Sequence, residues 1–398
     1  MNDHPSNGSR PHGGGMKRWL DRGGRILRQR WARLNHAVAR RRDLAAVLQD
    51  ERPHVLLVTN DLSRSGAPLL VFEMASLLID DGVVPVVASP VDGPFAAKLR
   101  DLGVRVFIDP MVRTSPAWIS ALASHARWAI CNTIDTADVA RTVAERTPVL
   151  WYLHEVSLLE DRLADPQVHA AVLGVSVLWA GSALCAEKIA PLRPDVTIVP
   201  YGVAPLGDPP TKIPDRPLRT GIFGSIEPRK GQDLAVEAMA LLSSDERRSI
   251  ALTLYGRILD RPFAEDVLER ARALGVDYAG ELDHGAYKAA IAATDAVLVS
   301  SRDDTLPIVS IDALGLGRML LLSPDVGTAA WLEPGVDVLV APGGDAAGLA
   351  TLLKDALSRM AEAPTIGSAA RRAFDAHFSR TAFRDRLRTA AALLERPS

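Results

Sequence analysis

The chain has 398 residues, 47% hydrophobic and 24% charged, and its 48 acidic side chains against 46 Lys and Arg leave a formal net charge of −2. That length suggests two or three domains, and the composition is that of a folded globular protein. A near-neutral balance gives no global attraction to nucleic acid, and no run reaches the ~18 apolar residues of a membrane-spanning helix.

Residues 1–15 are mainly Gly, Pro, Ser, Asn and His without periodicity, and read as disordered. Positive charge is concentrated early: Arg10, Lys17, Arg18, Arg22, Arg25, Arg28, Arg30, Arg33, Arg40, Arg41 and Arg42 face only Asp3 and Asp21 within residues 1–42. From Arg25 to Leu48 the pattern turns helical, with Leu27, Trp31, Leu34 and Val38 on one stripe. Two readings stand for residues 17–48: contact with an anionic membrane surface, or packing of the stripe on the protein's own body. No apolar core of a cleavable signal is present, and Cys131 and Cys185 sit in apolar surroundings that suit small buried hydrophobes. A cytoplasmic protein, peripheral on the inner face of the plasma membrane, is the expectation.

Beyond residue 50 short apolar runs alternate with helical patterns. Strands are predicted over His54–Thr59, Val83–Ala88, Val104–Ile108, Trp128–Cys131, Val149–Leu153, Leu178–Ala180 and Val196–Val199, with helices over Leu69–Leu78, Pro94–Leu102 and Thr136–Glu145. Pro205, Pro209, Pro210, Pro214 and Pro217 then break every pattern and mark a linker. A second half follows, with strands over Arg219–Phe223, Ile250–Tyr255, Val276–Ala279, Ala296–Val299, Met319–Leu322 and Val338–Val340 and a helical tail over Ala382–Leu394. This is the rhythm of two α/β, Rossmann-like parallel sheets. The predicted organisation is an N-terminal extension over 1–50, a first domain over 51–205 joined by the helix within 380–398, and a second domain over 206–379.

Ligands of such sheets bind beyond the carboxyl ends of the strands. There the first half delivers Ser65-Gly66-Ala67, Asn132-Thr133 and His154-Glu155. The second delivers Gly224-Ser225, Lys230, Gly256-Arg257 and Arg302 to Asp304. The set is rich in partners for phosphate and hydroxyl groups.

The densest stretch is Ser300 to Gly317. A helix is predicted to start near Pro307 with Asp304 as N-cap, and Asp312, eight positions on, would project from the same helix end. Thr305, Leu306, Pro307, Ile308 and Val309 would then surround free backbone N–H groups able to receive an anion. Strand, turn and capped helix is also ordinary α/β grammar, and Ser65 to Pro68 or Arg229-Lys230 would by themselves be surface turns. In Gly224-Ser225-Ile226-Glu227-Pro228-Arg229-Lys230-Gly231, Gly224 permits close backbone approach and Lys230 offers a point charge to a diphosphate.

Asp304 to Asp312 resembles the acidic-x7-acidic signature of retaining glycosyltransferases with the GT-B fold, family 4-like, with Asp at both positions where Glu is usual. Gly224 to Gly231 resembles that family's phosphate-binding turn, with Ser225 in place of Arg. The His154-Glu155 step and the Ser65-Gly66-Ala67 loop are similar to its sugar- and acceptor-side elements, and Tyr201-Gly202 to its Pro-x-Gly turn, where positive φ is expected. The resemblance covers about residues 54–395.

It implies catalytic roles for His154, Asp304 and Lys230. It implies a donor site of Gly66, Gly224, Ser225, Arg229, Lys230, Gly256, Asp304 to Val309 and Asp312, and an acceptor site of Ser65, Gly66, Asn132, His154 and Glu155. Asp304 would hold the donor sugar, Asp312 the ribose, and residues near Gly256-Arg257 and Ala279-Gly280-Glu281 the base. The partners implied are a nucleotide-sugar donor and a glycan or lipid-linked acceptor, in surface-polysaccharide assembly, with no nucleic acid. No metal turn flanked by paired carboxylates is seen, so no metal and no cofactor is expected. The rivals are a nucleotide-sugar epimerase of the same fold and a glycan-binding scaffold without catalysis. A nicotinamide-dependent enzyme is disfavoured, because no Gly-x-Gly-x-x-Gly follows the first strand of either half.

Overall fold

The computed structural model describes residues 44–395 apart from 51, 53 and 115. The disordered stretch predicted over 1–15, and all but residues 44–48 of the basic helix, lie outside the described residues; 44–48 are helical.

The apolar runs form two sheets. The first comprises β1 (His54–Val58), β2 (Val84–Ser89), β3 (Arg105–Ile108), β4 (Trp128–Asn132), β5 (Val149–Leu153), β6 (Val177–Ala180) and β7 (Thr197–Ile198). Its order is β3-β2-β1-β4-β5-β6-β7, and every pairing is parallel. The second comprises β8 (Leu218–Phe223), β9 (Ile250–Tyr255), β10 (Asp277–Gly280), β11 (Ala296–Val299), β12 (Met319–Leu322) and β13 (Leu339–Val340), in the order β10-β9-β8-β11-β12-β13 and again parallel. β1, β4, β5, β11 and β12 are buried along their whole length, because helices cover both faces and no polar alternation is tolerated.

Among the described residues, and apart from the helical residues 44–48, the helices beside the first sheet are α1 (Gly66–Asp80), α2 (Pro94–Asp101), α3 (Pro116–His125), α4 (Ala137–Ala144), α5 (Ser157–Leu163), α6 (Pro166–Gly174) and α7 (Ala183–Ile189). With the second sheet come α8 (Gln232–Leu241), α9 (Ser244–Arg248), α10 (Arg261–Ala273), α11 (His284–Ala293), α12 (Ile308–Gly315), α13 (Ala346–Ser358) and α14 (Ala363–Ala373). Predicted boundaries move by a few residues. The helix predicted over Leu69–Leu78 begins earlier, at Gly66, and the edge strands β7 and β13 shorten to two residues each. No described helix is long and apolar enough to cross a membrane.

The last helix, α15 (Arg380–Leu394), returns to the first domain. Phe383, Leu387, Ala390 and Leu394 are buried there, while Arg384 and Arg388 both bond the Asp81 carboxylate, at 2.7 Å through Arg384 Nε and Arg388 Nη2. The chain therefore crosses between domains twice, and the crossings are tied together. Val203 N donates to Phe378 O at 2.9 Å, and Arg386 Nη1 donates to Pro200 O at 3.1 Å and His377 O at 2.6 Å. Gly202 does not take the predicted positive φ. The position needs glycine because a Cβ there would lie 2.2 Å from Ser379 O.

Candidate functional site

In each sheet the chain runs outward in opposite directions from one central pair of strands, β1 and β4 in the first, β8 and β11 in the second. Beyond the carboxyl ends of such a pair the loops part and leave a crevice.

At the second crevice two glycines set the backbone. Gly256, at φ 147, follows β9, and a Cβ there would lie 1.8 Å from Gly224 O. Gly231, at φ 66, follows Lys230, and a Cβ there would lie 2.0 Å from Ser300 O. Any side chain at either point would push the turns apart. Polar bonds lock the Lys230 turn onto the loop after β11. Ser300 Oγ donates to Lys230 O at 2.9 Å, and Arg302 N to Arg229 O at 2.9 Å. The Arg302 guanidinium grips Asp233 through both oxygens, at 2.8 and 2.7 Å, and Pro228 O at 2.6 Å.

The result is that Lys230 Nζ bonds Asp304 Oδ2 directly. Arg229 Nη1 lies 3.7 Å from the same oxygen and bonds Asp303 O at 3.1 Å. Ser225 does not extend this cationic group. Its hydroxyl donates to Glu227 Oε1 at 2.6 Å, and its carbonyl accepts from Gln232 Nε2 at 2.8 Å.

Asp304 is not the N-cap of α12. Pro307 occupies that position, and the helix begins at Ile308. The reason is the competing charge: a carboxylate beside Lys230 gains more from an ionic hydrogen bond than from a backbone N–H. The two aspartates therefore do not share one helix end. Asp304 stands in the loop, where its carbonyl accepts from Gly327 N at 2.8 Å. Asp312 lies inside α12, accepting from Tyr287 Oη of α11 at 2.6 Å. Burial pushes its carboxyl up to about 6. The first-turn N–H groups of Ile308 and Val309 have no partner further up their own helix. Beside Gly256, the rings of Phe223 and Tyr255 stack at 4.5 Å and 4°, and Tyr278 Oη donates to Gly256 O at 2.9 Å.

At the first crevice Ser65 caps α1 without a side-chain bond, so the helix begins at Gly66 with open donors. A Cβ on Gly66 would lie 3.9 Å from Ile308 Cγ1, which brings the starts of α1 and α12 face to face. His154 Nε2 donates to Asn132 Oδ1 at 2.7 Å, and Asn132 Nδ2 donates to Ala67 O at 3.1 Å. His154 Nδ1 is buried without a partner, and burial holds the imidazole down at about 3, so it is neutral. Glu155 turns onto its own domain. It accepts from Ile134 N at 3.1 Å and His154 N at 3.0 Å, and burial raises its carboxyl. Of the predicted acceptor group, Ser65, Gly66, Asn132 and His154 cluster at this crevice, while Glu155 buttresses the loop.

Two bonds join the crevices. Thr305 Oγ1 donates to His154 O at 2.6 Å, and Tyr201 Oη donates to Leu306 O. Thr305 was predicted for the donor side and Tyr201 for a turn, but neither cross-domain bond, nor Tyr287, was predicted, since each hydroxyl meets its partner only through the fold. Among the described residues no cluster of three or more His, Cys, Asp and Glu side chains is arranged to hold a metal ion.

Two parallel sheets facing each other across paired crevices, with the last helix returned to the first domain, are the GT-B architecture, that of a large class of glycosyltransferases. Residues 217–359 match the family model described as Glycosyl transferases group 1. The fold is thus the one GT-B glycosyltransferases have, and the second domain carries the pattern of a glycosyltransferase family. HepE of Anabaena in complex with UDP is similar over 85% of this chain and 99% of its own, with a TM-score of 0.74 and 18% identity. A glycosyltransferase from Rickettsia africae covers 87% and 100% with a TM-score of 0.70 and 15% identity. Sucrose-phosphate synthase from Thermosynechococcus elongatus covers 86% and 99% with a TM-score of 0.68 and 19% identity. At such identities the likeness is one of fold. No curated protein sequence matches the chain.

Proposed function

We propose that the protein is a retaining, metal-independent glycosyltransferase that moves a sugar from a nucleotide-sugar donor to a glycan or lipid-linked acceptor. The observation that carries this reading is the meeting of Lys230 and Asp304 at the second crevice, beneath the facing starts of α1 and α12. A diphosphate entering there meets Lys230 and the first-turn N–H groups. Charge grows on the leaving nucleoside diphosphate as the anomeric bond breaks, so fixed positive groups act most strongly in the transition state. Asp304, relieved of Lys230, accepts from donor sugar hydroxyls. Asp312 accepts from the ribose, and the bare Nδ1 of neutral His154 accepts from a sugar hydroxyl. The acceptor oxygen attacks from the face the phosphate leaves, its proton passing to that phosphate. Closure of the domains about the linker Pro205 to Pro217 excludes water.

The solved HepE complexes hold UDP and UDP-glucose, which supports a nucleotide-sugar donor here. The basic, amphipathic sequence of residues 17–48 favours a membrane-borne acceptor and surface-polysaccharide assembly. The test is release of nucleoside diphosphate from a panel of nucleotide sugars, with and without bacterial membranes, with product anomeric configuration read by NMR. One donor consumed with retention supports the proposal; inversion contradicts the mechanism, and no turnover of any donor contradicts the activity. The scaffold reading has one observation behind it, that Lys230 and Asp304 already satisfy each other; diphosphate binding without turnover would favour it.

A further inference from the structure

The loop that carries Asp304 is held by both domains. On its own side Asp304 O accepts from Gly327 N at 2.8 Å and Arg302 N donates to Arg229 O at 2.9 Å. One residue on, the side chain of Thr305 leaves its own domain and donates to the backbone carbonyl of His154 at 2.6 Å. The next residue, Leu306, accepts at its carbonyl from Tyr201 Oη. Tyr201 belongs to the first crossing between domains, and it is buried beside the His154 ring at 6.4 Å between centroids. Three consecutive residues thus present the donor-side carboxylate, a bond to the acceptor-side histidine loop, and a bond to the hinge.

From this arrangement we infer that Thr305 is a positioning residue: its hydroxyl couples the placement of Asp304 to that of His154, so that the two site halves come into register only when the domains are closed. The inference rests on the glycosyltransferase reading for its catalytic consequence, but not for its geometry. The physical reason is that the loop between β11 and α12 contains no helix or strand: its own domain holds it at Arg302 and Asp304, while Thr305 and Leu306 are bonded to His154 and Tyr201. Its position is therefore set by whichever partners grip it, and two of those lie across the cleft. When the domains part, the Thr305 and Tyr201 bonds break together. Asp304 then keeps its bonds to Lys230 and Gly327 within its own domain, a state that holds a diphosphate site but not one in register with His154.

The bond to His154 O has a second effect. His154 carries its unpartnered Nδ1 only three bonds from its own backbone, and its N–H is fixed by Glu155 at 3.0 Å. A donor on its carbonyl completes the restraint of that peptide, and with it the direction of the imidazole.

The test uses the full chain with Thr305→Val, Thr305→Ser and Tyr201→Phe. Valine keeps the shape and the backbone N–H but removes the donor; serine keeps the donor. Hydrogen exchange at the amides of residues 303–306, 308–309 and 154–156 reads the coupling without any turnover. Thr305→Val is expected to speed exchange in both segments by about tenfold, with the sheets unaffected, and Thr305→Ser to restore it. UDP serves as the probe for the diphosphate half: its affinity is expected to hold within about twofold in Thr305→Val, while kcat for the donor found in the panel falls about tenfold at nearly constant donor KM. Faster exchange confined to residues 303–309, with 154–156 unchanged, would overturn the coupling. So would a serine variant that behaves like valine. If the wild-type chain turns over no donor, the catalytic reading fails while the exchange result still decides the coupling.

Discussion

Lys230 and Asp304, 74 positions apart, form one ion pair at the crevice of the second sheet, with side chains only 19% and 11% exposed. Gly231 and Arg302 bring the Lys230 turn to the loop, Arg229 stands behind, and the start of α1 faces it from the other domain.

Removing one partner has two consequences. Lys230→Ala leaves a nearly buried carboxylate with Arg229 as its nearest cation, at 3.7 Å, and is expected to cost about 2 kcal/mol of stability. It should also lower donor turnover by roughly 10²- to 10³-fold, the range seen when a fixed donor to a developing anion is removed. Lys230→Ala with Asp304→Asn should regain stability without regaining turnover. Chemical denaturation and donor kinetics on both variants check this; recovery of activity in the double variant would contradict the assigned role.

The two titrating groups of the site act on stability in opposite senses. Burial raises Asp312 from 3.8 to about 6, so its favourable contribution is present below 3.8 and lost as pH rises through 6. Burial lowers His154 from 6.5 to about 3, so its contribution is present above 6.5 and lost as pH falls toward 3. Between about pH 4 and 6 the two slopes oppose each other. Asp312→Asn removes one slope, keeps an acceptor for Tyr287, and should lose stability on acidification more steeply than the wild type. At pH 8 the unliganded variant should be the more stable, by up to about 3 kcal/mol. Parallel curves from pH 4 to 8 would show that Asp312 ionises as an exposed carboxyl does.

Two glycines should respond differently to the same substitution. Gly256→Ala places a Cβ 1.8 Å from Gly224 O at a φ of 147, and is expected to destabilise the second domain by about 3 kcal/mol. Gly66→Ala meets nothing nearer than Ile308 Cγ1 at 3.9 Å. Its melting temperature should be unchanged within about 2 °C, while donor KM rises by about tenfold because the methyl enters the space between the helix starts. Equal losses of stability in the two variants would contradict this account of the crevices.

In the proposed mechanism positive charge at the leaving group comes from Lys230 and helix N–H groups, so turnover in EDTA is expected to stay within about twofold of that without it. Loss of activity restored by Mg²⁺ or Mn²⁺ would contradict metal independence.

The sheets were legible because strands covered on both faces read as continuous apolar runs, as Ala296–Val299 and Val149–Leu153 do. Lys230 and Asp304 were legible as residue types at strand ends, where the fold rule says ligands bind. The N-cap assignment failed because it weighed Asp304 only against its neighbours in the chain. Its actual partner, Lys230, lies 74 positions away and outcompetes the helix end. The same blindness hid Tyr287 for Asp312, 25 positions off, and Thr305 for His154, 151 positions off. A hydroxyl has no pattern in the sequence. It becomes part of a site only when two domains set it against a carbonyl or a carboxylate.

The most direct measurement is calorimetric titration of the full chain and of Lys230→Ala with a panel of nucleoside diphosphates. The account predicts that one diphosphate binds the wild-type protein at a single site and that the alanine variant loses most of that affinity. Equal binding by both, or no binding of any diphosphate by the wild type, would contradict it.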